Sequence, residues 1–308
     1  MKTKCKSTIR AAYHSFSGAI CAGAVLLMAS SAQAQNLFVA DWYSFHVYEY
    51  TPNGVQSTFA SQMYGPVALA FNNSGDLYVG TMDGGGIIKV TPSGAKSTFA
   101  SQAAISLAVN SAGNLFASGA AGNICEYTPD GTQTIFASGL LSPYGIAFNS
   151  GGDLFVADSY GANIIRIKRN GDRSTFATGV SGGQDLAFDS AGNLFVASVG
   201  TGNIYEYTPD GVQSTFASGL IHPFGLAFDN AGDLFVSDNG NGAIDSGKIY
   251  EFTQTGERST FASGLGYGMP SGLAIQLVPE PSVLGLLSVC ATALLVRRRR
   301  CWANFTMP

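Results

Sequence analysis

The chain has 308 residues, with 16 Lys and Arg against 20 Asp and Glu. Its charges are unevenly placed. Setting aside Lys2, Lys4, Lys6, Arg10, Arg297–Arg300 and Glu280 leaves 8 basic and 19 acidic residues in the body, a net charge of about −11. A surface of that sign repels the phosphates of nucleic acid and anionic lipid headgroups, which excludes a nucleic-acid partner.

Residues 1–34 read as an export signal rather than as part of a fold. Lys2, Lys4, Lys6 and Arg10 form a basic start, Ala19–Ala29 is apolar, and Ser31-Ala32-Gln33-Ala34 places small residues where a signal peptidase reads, so cleavage is expected between Ala34 and Gln35. The apolar run is too short to span a bilayer.

From residue 35 to 278 one unit is written six times. The copies open at Leu37, Leu77, Leu115, Leu154, Leu194 and Leu234, spaced by 40, 38, 39, 40 and 40 residues. A period near 40 with four short strands per unit, each rich in β-branched and aromatic residues and bounded by Gly, Asn, Asp or Pro, predicts an all-β propeller. The turns NNSGDL, NSAGNL, NSGGDL, DSAGNL and DNAGDL supply a Gly for positive φ, and the TPNG, TPSG and TPDG connectors suit type I turns. No four-stranded blade can cover both of its own faces, so neighbours stack around an axis. The recurring Phe59, Phe99, Phe136, Phe176, Phe216 and Phe261, with Phe71, Phe148, Phe188 and Phe228, are the expected inter-blade core. The first copy lacks an innermost strand, and Gly272–Ile275 lacks a partner after it. Residues 271–276 are therefore expected to pair with 37–60, giving six four-stranded blades closed by N- and C-terminal strands sharing one blade.

Beyond 278 the composition changes to Pro279-Glu280-Pro281, an apolar stretch Val283–Val296, and Arg297, Arg298, Arg299 and Arg300. This resembles the PEP-CTERM sorting tail of Gram-negative bacteria, which implies processing by an exosortase-type enzyme and delivery to the cell surface or extracellular matrix, in organisms that often make exopolysaccharide. Fourteen residues of helix cover about 21 Å against roughly 30 Å of hydrocarbon, which suits transient anchoring through this segment alone. Cys125 is the one cysteine of the body, so the propeller has no internal disulfide and no cysteine metal site.

The repeat P-x-G-L/I-A-F-D/N-x-x-G-x-L-F-V-A-D, over residues 37–276, resembles NHL-type propellers and the wider group of senescence-marker-protein lactonases, strictosidine-synthase-like proteins and streptogramin-type lyases. The resemblance implies chemistry, where it exists, at the channel end where the innermost strands begin, with a divalent ion held by Glu and Asn or Asp in the lactonases. The matching positions here are Val67, Ile105, Tyr144, Gln184, Phe224 and Ser271. None is a carboxylate or Asn, so no cofactor or metal is expected there. Asp185 is the acidic residue beside this ring.

Candidate ligand-binding residues are therefore Tyr144, Gln184, Asp185, His222 and Phe224, with the two aromatics placed to stack on a sugar face. Asp41, Asp158 and Asp238 close three of the LFVAD-type strands. They are expected to accept N–H groups of the turns that follow; the other reading is a weak cation site, Ca²⁺ included. Strict repetition without a set of polar residues breaking it points to a non-enzymatic binding module for polysaccharide or a surface protein. The alternative is a metal-dependent lactonase or lyase of the gluconolactonase-like group.

Overall fold

The computed structural model describes residues 35–119, 121–243, 245–265 and 269–276. The export signal, the cleavage residue Ala34 and the tail from Pro279 to Arg300 lie outside the described residues. Within them, six sheets of four antiparallel strands form a ring, a six-bladed β-propeller. The six innermost strands touch one another in cyclic order around the axis.

Blades 2 to 6 each take their strands in chain order: residues 66–100, 106–137, 143–178, 183–217 and 223–263. Blade 1 is composite, as expected. Its innermost strand is Pro270–Ile275, and Leu37–Asp41, His46–Tyr50 and Gln56–Ala60 lie outside it. Leu37 faces Ile275, and Val39 faces Leu273. The closing blade therefore pairs the two ends of the body by a full ladder, and the ring has no open inner edge.

Local chemistry explains the hairpins. Gly75 takes φ 82° and its N–H donates to Asn72 O at 3.1 Å, while Asn72 Oδ1 accepts from Ser74 and Asp76 N–H. The side-chain amide thus holds the turn that the positive-φ glycine closes.

Burial peaks at the second strand and falls outward from there. Second strands such as Leu154–Asp158 are buried along their whole length, third strands such as Asn163–Ile167 alternate, and outermost strands such as Arg173–Thr178 are exposed at their start. The expected phenylalanines all pack against the inter-blade core, and the burial pattern refines their place in it. The phenylalanines of the outermost and innermost strands are partly buried, and the enclosed rings are those of the second strands, Phe38, Tyr78, Phe116, Phe155, Phe195 and Phe235, together with Tyr50, Tyr127, Tyr207 and Phe252 on third strands. Phe155 packs edge-on against Phe176 of its own blade and Phe188 of the next, with centroids 5.0 and 5.1 Å apart. Phe38, Phe116 and Phe195 repeat this arrangement. The second and third strands have a sheet neighbour on each side, so their rings are the ones enclosed.

On the opposite end from the channel mouth, the residue before the second strand is matched to one on the third strand in blades 1 to 4, while in blade 5 Asn193 donates to Asp189 at 3.0 Å. Asp76 pairs with Lys89 at 3.1 Å and Asp153 with Arg166 at 2.5 Å. In blades 1 and 3, where Asn stands instead, the partner is Glu: Asn36 donates to Glu49 at 2.6 Å and Asn114 to Glu126 at 2.7 Å. Blade 6 breaks the rule by placing Asp233 with Glu251. Burial, Asp233 and Asp229 together raise the Glu251 pKa. Glu251→Arg should restore the pairing of blade 4 and add up to about 1 kcal/mol for a partly exposed pair. The expected reading is a melting temperature a few degrees higher at low salt, with the gain shrinking at 1 M salt. No gain at low salt would contradict the matching rule.

Candidate functional site

Proline or glycine opens most innermost strands, and the residue after it faces the channel mouth. Val67, Ile105, Gln184, Phe224 and Ser271 line a cavity of about 100 Å³ with Asp185 below them. That volume holds several waters. Tyr144, at the same repeat position, is absent from the lining, although its carbonyl accepts from Ser118 Oγ at 2.8 Å.

The position beneath this ring decides how closely the blades approach. It is Gly145, Gly225 and Gly272 in three blades. A Cβ on Gly225 would stand 2.2 Å from Ser271 O, and one on Gly145 would stand 2.6 Å from Asp185 Cα. Adjacent backbones therefore touch. The remaining blades carry Ala68, Ser106 and Asp185 there, and two of these side chains cross the seam. Ser106 Oγ accepts Ile146 N–H at 3.2 Å, and Asp185 Oδ2 accepts Leu226 N–H at 2.9 Å. Asp185 Oδ1 takes the Leu186 N–H at 2.9 Å.

Asp185 is largely enclosed by protein and borders the cavity. Burial pushes its pKa up to about 7, against the two backbone N–H bonds that favour the anion. Beside it, Gln184 Oε1 is buried without a hydrogen-bond partner. A carboxyl that titrates near neutral pH next to an unpaired amide oxygen, both on a small cavity, can exchange protons with a bound molecule.

The other sequence candidates are not part of this cavity. His222 is exposed at the rim of blade 6, its Nδ1 within 2.6 Å of Gly240 O. The strand-end aspartates are buried and saturated with backbone donors. Asp41 accepts Tyr43 and Ser44 N–H from the following turn. Asp158 instead takes Leu141 and Ser142 N–H, and Asp238 takes Ile221, His222 and Gly240 N–H. Two of the three thus staple the preceding inter-blade connector, a long-range role that the strand-end position alone does not reveal.

The divalent ion implied by the lactonase resemblance finds no donor set. A hard cation takes six or more oxygens. Ser271 Oγ is placed to donate to Ala40 and Pro66 carbonyls at 3.2 and 3.1 Å, and both Asp185 oxygens are occupied. Among the described residues no three His, Cys, Asp or Glu side chains come together as ligands. The residues present do not fit such an ion.

The model of the family described as SMP-30/Gluconolactonase/LRE-like region matches residues 28–237. No curated protein matches the chain. Among solved structures, the fold is similar to a chain of a nidogen/laminin complex at TM-score 0.69 and 18% identity, covering 79% of this chain and 98% of that one. It is similar to a gluconolactonase from Xanthomonas campestris at TM-score 0.58 and 19% identity, covering 66% and 79%. A virginiamycin B lyase from Staphylococcus aureus matches at TM-score 0.52 and 19% identity, covering 63% and 69%. At these identities the likeness is one of fold.

Proposed function

Because the chain belongs to the SMP-30/gluconolactonase/LRE-like family, we propose that the channel end at Gln184 and Asp185 is a reactive site for lactonase- or lyase-type chemistry on a small carbonyl compound. Kinship weighs toward this enzymatic reading over the purely binding one. The observation that carries it is Asp185. Three blades use glycine at that position, and burying a carboxyl there costs stability at neutral pH. A purely structural ring has no need of it, and local rules are broken mainly where function requires it.

Near neutral pH both forms of Asp185 are populated. As the anion, it takes a proton from the water that attacks a lactone carbonyl; the acyl C–O bond then breaks, and the same proton passes to the leaving alkoxide. No metal enters this scheme. Turnover should therefore survive chelation, rise as pH passes through about 7, and fall about 10²–10⁴-fold in Asp185→Asn. A screen of γ- and δ-lactones with and without EDTA, on both proteins, reads this directly. Stoichiometric bound metal with chelator-sensitive turnover would remove the metal-free mechanism. Absence of turnover on every lactone would favour the second reading, a non-enzymatic binding propeller. The near-uniform repetition of the blades favours that reading.

We further propose export with cleavage before Gln35 and sorting through Pro279-Glu280-Pro281 and Arg297–Arg300, with signal peptidase and an exosortase-type enzyme as processing partners. Cleavage there leaves the closing strand whole, since Gln35 itself bonds across to Asn230 N–H at 2.8 Å. N-terminal sequencing and intact mass of the protein from cell-surface fractions test both ends.

A further inference from the structure

We infer that the loops of blades 1 and 2 at the channel-mouth end form a rigid aromatic platform that binds an uncharged polysaccharide strand, a site separate from the channel and independent of its chemistry. Four large apolar side chains are left in solvent here: Tyr43 is 57% exposed, Phe45 44%, Tyr64 65% and Met82 40%. They stand on the loop after the second strand of blade 1, the connector to blade 2, and the next equivalent loop. Large apolar side chains left exposed on loops bonded to one another mark an interaction site.

These loops are built rather than loose. Met63 N–H donates to Phe45 O at 2.9 Å and Met82 N–H to Gly65 O at 3.0 Å. Trp42 Nε1–H donates to Asp83 Oδ2 at 3.1 Å across the connector. That crossing requires Gly65, where a Cβ would stand 2.5 Å from Asp83 Oδ2. The Trp42 and Tyr43 rings stack, 23° apart with centroids at 6.4 Å; Trp42 packs half-buried against the core beneath and supports the exposed Tyr43 ring.

Phe45 is the telling residue. Its carbonyl receives the connector N–H just as those of Gly122, Ala162 and Gly202 do in other blades. All four residues have positive φ, at 60°, 72°, 50° and 68°. A left-handed phenylalanine costs about 1–2 kcal/mol where glycine costs nothing. With the ring 44% exposed, a large part of it stands in solvent at a position where glycine would serve the turn without strain.

The occupant follows from shape and charge. Flat rings with hydroxyl edges match the alternating apolar faces and polar rims of pyranose rings, since tyrosine and tryptophan suit contacts that are apolar on one side and wet on the other. A groove of about 380 Å³ continues from Tyr64 and offers Gln62, Ser97 and Thr98 as hydrogen-bonding groups. The one cation there, Lys96, is committed to Ser61 O at 2.8 Å. With Asp83 on the platform and a body charge of about −11, a polyanion is disfavoured.

Trp302→Phe in the full-length chain leaves Trp42 as the single tryptophan, so its emission reports on this site. Titration with soluble β-1,3-glucan, mixed-linkage glucan and galactomannan, with alginate as the anionic arm, should give a saturable shift with at least one neutral polymer and none with alginate. Affinity should fall at least tenfold in Phe45→Gly and in Tyr64→Ser, while Phe45→Gly melts no lower than the parent. Three outcomes each overturn the inference: no saturable shift with any neutral polymer, equal binding by both variants, or a dimer in sedimentation that either variant dissociates.

Discussion

Phe155→Ala is expected to lower folding stability by about 3–5 kcal/mol. The ring is 3% exposed and bridges blade 4 to blade 5 through Phe176 and Phe188. Around it stand β-ladders whose spacing is fixed by hydrogen bonds, so the vacated space cannot collapse and the cavity cost is retained. Phe176, on the outermost strand, is only partly buried. Phe176→Ala should therefore lose clearly less, because solvent already reaches part of its ring. Thermal melts of both variants read the ordering, with a drop on the order of 10 °C for Phe155→Ala in a ring of this size. Equal losses would mean that the second-strand rings are not the hubs of the inter-blade core.

That ordering also marks what the sequence discloses and what it withholds. Repeat spacing was enough to give the blade count and the composite blade, because a period of about 40 residues and one unpaired strand at each end admit a simple closed solution. It disclosed that the phenylalanines are core, but not that the second-strand ring is enclosed while its partners remain partly wet. That depends on which strand has neighbours on both sides. Gln184 and Asp185 stood out because they break P-x-G, and the structure places both on the cavity. Tyr144 shares the repeat position and does not line it. The long reach of Asp158 and Asp238 to connectors 16 and 17 residues earlier is tertiary. Phe45 stands eight residues after Leu37 as Gly202 does after Leu194, but only its φ of 60° shows that the position calls for glycine.

The pH dependence of stability should change when Asp185 is replaced by Asn. The folded-state pKa of Asp185 is pushed up to about 7 from an ordinary value of 3.8. The folded chain therefore holds a proton that the unfolded chain has already released. Its contribution is fully present below about pH 4, declines as pH rises toward 7, and is flat above that. Converted at 1.36 kcal/mol per unit, the span is up to about 4 kcal/mol. Asp185→Asn cannot ionise, so the variant should gain on the parent by up to that amount between pH 4 and pH 8. Burial also raises the pKa of Asp41 and of Glu251, but both groups are present in both proteins and cancel in the difference. Urea melts across that range would show a sigmoidal difference with its upper limit near pH 7. The same proton governs the proposed chemistry, so the lactonase rate of the parent must rise over the interval in which its stability falls. A stability limit near 7 with a rate limit displaced by two pH units would leave Asp185 as a seam residue and remove it as the base.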